Sequence, residues 1–248
     1  MRLRMTFSLP QPLELPYSLH YALMSYVYQA IQTVDPVLAK WLHQEGIAYH
    51  GRSYKPFIFS PLSFDERQSG KEKMKVSGNA VWKVDSIRPE IVQAICHGVQ
   101  AKGYLQLLHH RLPLETIEME ERPWYQRVMN YFSLGPIVVP IQREGQLVYC
   151  HPLQSEFYDQ LRESLLRWAR FKWGTSYVCE EAIHIRLRSP ERFSLKKAAV
   201  LNEIKGKKIK GYLIPLQIEA PAPIQEVVME AGLGSYGSQG FGMMAWNR

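Results

Sequence analysis

The sequence predicts an α+β protein of two ferredoxin-like domains in tandem, each with the order β-α-β-β-α-β. Three observations predict it. Strand-type alternation and helix-type periodicity follow one another in that order twice along the chain. The charged, proline-ended stretch Glu120-Glu121-Arg122-Pro123 falls between the two runs and divides the chain into 1–121 and 122–248. The length of 248 residues, 46% of them hydrophobic, allows two small domains with sizeable cores.

In the first half, residues 2–8 alternate polar and apolar side chains, as a half-buried strand does. Leu19, Leu23, Tyr26, Val27, Ala30 and Ile31 then recur at helical spacing. Asp35-Pro36 reads as an N-cap followed by proline at the first helical position, opening a short second helix through His43. The segments 55–62 and 73–84 read as strands. Residues 89–100 form a helix with Ile91, Ala94, Ile95 and Val99 on one face, and a strand or hairpin follows near 104–120.

The second half repeats the plan. Strand material at 136–149 is broken by the turn signal Glu144-Gly145. A helix over about 152–172 places Phe157, Leu161, Leu165 and Trp168 on its buried side. Strands follow near 181–188 and 211–219, and a helix opened by Pro223 runs to Ala231. The last strand is FGMMAW.

The formal net charge of +7 favours an anionic partner. It is concentrated in one place. Nine basic residues and two glutamates lie between Arg186 and Lys210, so this segment carries the whole excess and the remainder is neutral. A solvated basic face is the plain reading; a phosphate-binding surface is the other. Cys96, Cys150 and Cys179 are widely spaced and odd in number, which argues against a disulfide framework or a zinc site. They suit a reducing compartment. With no signal-peptide core and no apolar run of spanning length, the expectation is a cytoplasmic protein without a membrane partner.

Five glycines fall within eleven residues, from Gly232 to Gly242. The string Gly232-Leu-Gly234-Ser-Tyr-Gly237 matches G-x-G-x-x-G, but that fingerprint needs a helix after it and an acidic residue about 20 positions on. Here the chain continues into a strand. No G-K-[ST] is present either, so nucleotide cofactors are excluded and none is expected. The pattern reads better as glycine pairs, Gly232-x-Gly234 and Gly240-x-Gly242, around the five residues SYGSQ.

That arrangement, between the last helix and last strand of a second ferredoxin-like domain, resembles the glycine-rich loop of the CRISPR-associated repeat-processing endoribonucleases, the Cas-six family of the RAMP superfamily. The first half is similar to the same family at LPYSLHYALMSYVYQAI (15–31), DPVLAKWLH (35–43) and KPFIFSPL (55–62). GPIVVP and EFYDQL resemble the opening of its second domain. One departure is that the family's loop often carries Lys or Arg among its five central residues, and SYGSQ has none.

The resemblance implies a metal-independent endoribonuclease that cuts CRISPR repeat transcripts by attack of the 2′-hydroxyl, leaving 5′-hydroxyl and 2′,3′-cyclic phosphate ends. The expected partner is repeat RNA; the resemblance also admits a CRISPR effector complex and a homodimer. A non-cleaving RNA-binding RAMP protein that holds guide RNA is the alternative. Such chemistry needs proton transfer and charge stabilisation, which suit a histidine and a lysine. In many members a Tyr late in the first helix, a His in the second and a Lys at the next strand form the site, and the matching positions are Tyr28, His43 and Lys55. The plain alternatives are a core aromatic, a cation at a helix end and a solvated lysine. Among the rivals His20, His50, His97, His109, His110, His151 and His184, His50 is the strongest, because its loop precedes Lys55. No ligand-spaced His/Cys set or paired acidic cluster appears, so no metal is expected.

RNA binding is assigned to Arg186, Arg188, Arg192, Lys196, Lys197, Lys205, Lys207 and Lys208, and to loop residues Gly232, Gly234, Ser235, Gly237, Ser238, Gly240 and Gly242. Valine at Gly234 or Gly240 is expected to impair binding while leaving the fold largely intact.

Overall fold

The computed structural model describes residues 1–246 and divides into two units, Met1–Glu121 and a second from Arg122 onward. In the first, strand β1 (Arg2–Ser8) is followed by β2 (Leu13–Pro16), α1 (His20–Val34) and α2 (Pro36–Gln44). The chain then makes β3 (Ile47–Tyr49), β4 (Arg52–Tyr54), β5 (Ile58–Phe59), β6 (Ser63–Ser69) and β7 (Lys73–Asp85). Helix α3 (Pro89–Lys102) leads to β8 (Tyr104–Leu107) and β9 (His110–Glu120).

The antiparallel sheet runs β6-β7-β1-β9, with β2 and β5 also on β7 and β8 on β9. In the six-element plan this is second, third, first and fourth strand, the ferredoxin-like order. Alternation places Leu3, Met5 and Phe7 of β1 inside the core. Helix α1 buries Leu23, Tyr26, Val27, Ala30 and Ile31, a stripe at helical spacing. Leu23, Val27 and Ile31 each contribute roughly 1.5–3 kcal/mol by leaving water. Helix α3 meets α1 where Gly98 passes Ala30; a Cβ at Gly98 would lie 2.0 Å from the Ala30 carbonyl oxygen. That close approach fixes the C-terminal half of α1, which carries Tyr28.

The second unit contains β10 (Val128–Ser133), β11 (Pro140–Arg143), β12 (Gln146–Tyr149) and α4 (Ser155–Trp173). After β13 (His184–Leu187) come the short α5 (Leu195–Ala198), β14 (Ala199–Ile204) and β15 (Lys207–Tyr212). The chain continues through β16 (Pro215–Glu219), α6 (Ala222–Ala231) and β17 (Met244–Trp246). The main sheet is β13-β16-β10-β17, again second, third, first, fourth. Phe157, Leu161 and Leu165 of α4 and Ile224, Val227 and Val228 of α6 fill its core.

Four strand expectations need correction, one being FGMMAW, of which only Met244–Trp246 forms the last strand. The first sheet strand of this unit is Val128–Ser133, where Met129 and Tyr131 are buried, while 136–149 contributes a separate two-stranded hairpin. The run 55–62 yields only Ile58–Phe59, because Pro56 and Pro61 have no N–H to donate to a ladder. The run 211–219 is split at Leu213 and Ile214, its first two residues ending β15 and residues 215–219 forming β16.

Candidate active site and nucleic-acid surface

Helix α2 starts where Asp35 accepts a hydrogen bond from the Leu38 N–H at 2.8 Å, with Pro36 at the first helical position. It ends at Gly46, in the left-handed region at φ +66, whose N–H donates to the Trp41 carbonyl. A Cβ on Gly46 would stand 2.5 Å from the Tyr54 carbonyl oxygen. The β3–β4 hairpin can therefore fold back along the end of α2 and deliver the next residue, Lys55. The Lys55 ammonium donates to the His43 carbonyl at 3.0 Å. It thus satisfies one of the carbonyls a helix leaves open at its C-terminus, and its charge suits that end of the dipole.

Tyr28 approaches the same residue from α1. Its ring meets the His43 ring edge-on, with centroids 5.2 Å apart and planes at 81°. On another side it meets buried Phe57 at 5.8 Å and 87°. Burial pushes the Tyr28 hydroxyl up to about 12. Burial also lowers the Lys55 ammonium, an effect that Glu45 opposes. His43 is exposed, beside an open groove of about 560 Å³ between α1 and α2 that Tyr28 also lines. The Tyr28 ring thus meets the accessible His43 imidazole, while the Lys55 ammonium meets the backbone carbonyl of the same residue. The rival His50 occupies the exposed turn of the β3–β4 hairpin, at φ +47, with its ring against Tyr49.

The basic segment is dispersed. Arg186 and Arg188 belong to the region of edge strand β13, with Arg186 3.7 Å from Glu219. Arg192 lies 3.9 Å from Glu191 in a 3-10 turn, and Lys196 and Lys197 are exposed on α5. Lys205, Lys207 and Lys208 sit at the tip of the β14–β15 hairpin. The hairpin packs on the glycine loop, because Ile204 and Ile209 join Val138 and Phe241 in a small apolar cluster that Tyr236 also touches. Sequence reasoning missed this hairpin. Its signal was the two-residue turn Lys205-Gly206 between alternating segments, with φ +50 and +76. Neutralising Lys205, Lys207 and Lys208 together is expected to weaken repeat binding and flatten its salt dependence by a log–log slope of about 2. A slope equal to wild type would make the hairpin a solvated face.

The loop itself is more structural than expected. Gly232, Gly234, Gly240 and Gly242 have φ between +70 and +88, whereas Gly237 lies in a 3-10 turn with Ser238. Leu233, Ser235, Gln239, Gly240, Phe241 and Gly242 donate their N–H groups to protein carbonyls, so these donors are committed within the unit. A Cβ on Gly234 would lie 2.5 Å from the Val138 carbonyl oxygen. The expectation that Gly234→Val spares the fold is therefore wrong, since the obstacle is backbone and cannot swing away. Ser235 and Ser238 are half-buried along the loop.

The C-terminal family model of CRISPR associated protein Cas6 matches residues 119–246, and an N-terminal model of the CRISPR-associated protein Cas6 matches residues 14–118. The chain belongs to the Cas6 family. It is 24% identical over 233 residues to a CRISPR-associated endoribonuclease Cas6 of Pyrococcus furiosus, covering 93% of this chain and 83% of that one. A solved structure of a Cas6-related gene product from the same organism superposes with a TM-score of 0.84 at 21% identity, over 100% of this chain and 98% of that one. A structure described as an RAMP protein binding different RNA substrates superposes with a TM-score of 0.82 at 20% identity, over the full length of both. These likenesses establish the tandem ferredoxin-like fold of this Cas6-family chain.

Proposed function

We propose that this Cas6-family protein is a metal-independent endoribonuclease that processes CRISPR repeat transcripts into guide RNAs. The observation that carries the reading is the convergence of Tyr28 and Lys55 on His43. In the proposed reaction the 2′-hydroxyl loses its proton and its oxygen attacks the adjacent phosphorus. The bond from phosphorus to the 5′-oxygen breaks, and that oxygen takes up a proton. The products are a 2′,3′-cyclic phosphate and a 5′-hydroxyl. His43 is the main proton-transfer group. Tyr28 stays protonated at neutral pH, so it orients or donates rather than acting as a base. Lys55 stabilises the negative charge of the transition state. The basic hairpin, with the half-buried Ser235 and Ser238 of the glycine loop, holds the RNA backbone. A cytoplasmic location, which three free thiols suit, goes with this reading.

The test is incubation of wild type with repeat RNA in EDTA, followed by analysis of the product ends. Cleavage that EDTA abolishes would refute metal independence. Binding without product would favour the non-cleaving RAMP reading.

The lowered Lys55 sets a pH dependence. Its useful form is the ammonium, present below its pKa and lost as pH rises through it. Because burial lowers that pKa, activity should fall at a lower alkaline pH than a solvated lysine would give. Lys55→Arg, whose guanidinium keeps its charge, should shift the alkaline limb upward even if the maximal rate drops. An unmoved alkaline limb in Lys55→Arg would remove Lys55 from the chemistry.

A further inference from the structure

The groove beside His43 extends along α1 and α2 beyond Tyr28 and His43, the two proposed catalytic residues that line it. It is lined by half-buried Tyr28 and buried Ala39 and by exposed Gln29, Gln32 and Lys40. About 560 Å³ lies within the range of small-ligand sites, roughly 300–1,000 Å³, and accommodates a nucleotide. Gln29 and Gln32 are three residues apart on α1, hence neighbours on one helical face. Both are exposed, and their side-chain amides make no hydrogen bond to protein among the described residues.

The composition of this groove is selective. Half-buried Tyr28, with Pro36 and Ala39 beside it, gives the groove an apolar part with an aromatic ring, which suits stacking of an unpaired base. Each glutamine amide presents a donor and an acceptor side by side. That pair complements the adjacent N7 acceptor and N6 donor of adenine, the base that glutamine reads in bidentate fashion. Lys40 supplies a cation for the attached phosphate.

We infer that this groove binds an adenine next to the cut and that Gln29 and Gln32 determine that preference. The inference rests on the proposed cleavage at His43, because the shared groove is what makes the bound nucleotide a flanking one.

The experiment compares wild type with the Gln29→Ala/Gln32→Ala double variant. The substrates are repeat RNAs carrying A, C, G, U or 7-deazaadenine at each nucleotide flanking the cut, and kcat/KM is measured. Affinity is measured in parallel on the same RNAs made uncleavable by a 2′-deoxy sugar. Adenine at one flanking position should be favoured by roughly 5- to 150-fold over the other bases. 7-Deazaadenine, which lacks the N7 acceptor, should lose most of that advantage. The double variant should treat all bases alike. The near-isosteric Gln29→Glu/Gln32→Glu variant keeps the shape, removes the donors and should lose the preference as well.

Indifference of wild type to the base, or a preference that survives both variants, overturns the inference. A wild type that cleaves none of these RNAs ends the nuclease reading separately. Adenine-dependent affinity lost in the double variant would then still support the groove's role, and base-independent affinity would overturn it.

Discussion

Replacing the 2′-hydroxyl by hydrogen at the nucleotide before the cut is expected to abolish cleavage while leaving binding intact. The hydroxyl is the proposed nucleophile, so its removal deletes a reactant, whereas affinity draws on many phosphate and base contacts. His43→Ala should approach this phenotype, with a loss of roughly 10²–10⁴-fold in cleavage rate, the usual contribution of general acid–base catalysis. Because His43 is exposed at the end of α2, its truncation opens no core cavity and the variant should fold normally. Lys55→Ala also removes the ammonium from the α2 carbonyl, so its slower cleavage should come with a small loss of stability. Tyr28→Phe keeps both edge-on ring contacts and should be the mildest of the three. Single-turnover rates and affinities on matched ribo- and 2′-deoxy-substituted RNAs separate these cases. Robust cutting of the deoxy substrate would refute the chemistry; full activity in His43→Ala would refute only the assignment, and His50 would be examined next.

A large loss of stability is expected from alanine at Gly242. This residue has φ +71, and a Cβ there would lie 2.0 Å from the carbonyl oxygen of Leu233. Both the conformation and the space are wrong for any side chain. Left-handed backbone strain costs on the order of 1–3 kcal/mol. The clash adds to it, because the Leu233 backbone is itself bonded across the loop to the Gly242 carbonyl at 2.9 Å. A total of about 3–4 kcal/mol would lower Tm by on the order of 10 °C. Gly206→Ala provides the comparison, with a similar φ of +76 and nothing within 4 Å of the added Cβ. It should cost only the conformational part, about 1 kcal/mol. Thermal unfolding of the two variants side by side isolates the close approach, and equal shifts would show that the loop can relax around a methyl group.

The sequence by itself determined the features whose causes are local. Asp35-Pro36 fixes the start of α2 because a cap and a preset φ act within one turn. The apolar stripes of α1, α3, α4 and α6 are readable because helical period alone decides which residues share a face. The glycine pairs were legible as a pattern, and the left-handed conformation at Gly232, Gly234, Gly240 and Gly242 is a property that glycine itself supplies. The tertiary structure decided what depends on contacts between distant segments. No spacing rule places the Lys55 ammonium on the His43 carbonyl; the Gly46 turn and the hairpin after it do so by packing. Tyr28 reaches His43 because Gly98 lets α3 press on α1 and because Phe57 buttresses the ring. The Lys205–Lys208 tip joins the glycine loop through Ile204, Ile209 and Phe241, side chains more than thirty positions apart at the extremes. The glycine loop's N–H groups, which composition left open for phosphate, are largely committed to carbonyls that fold back against them. Local periods and caps are properties of a few successive residues, whereas the site's geometry is set by which distant surfaces fit together.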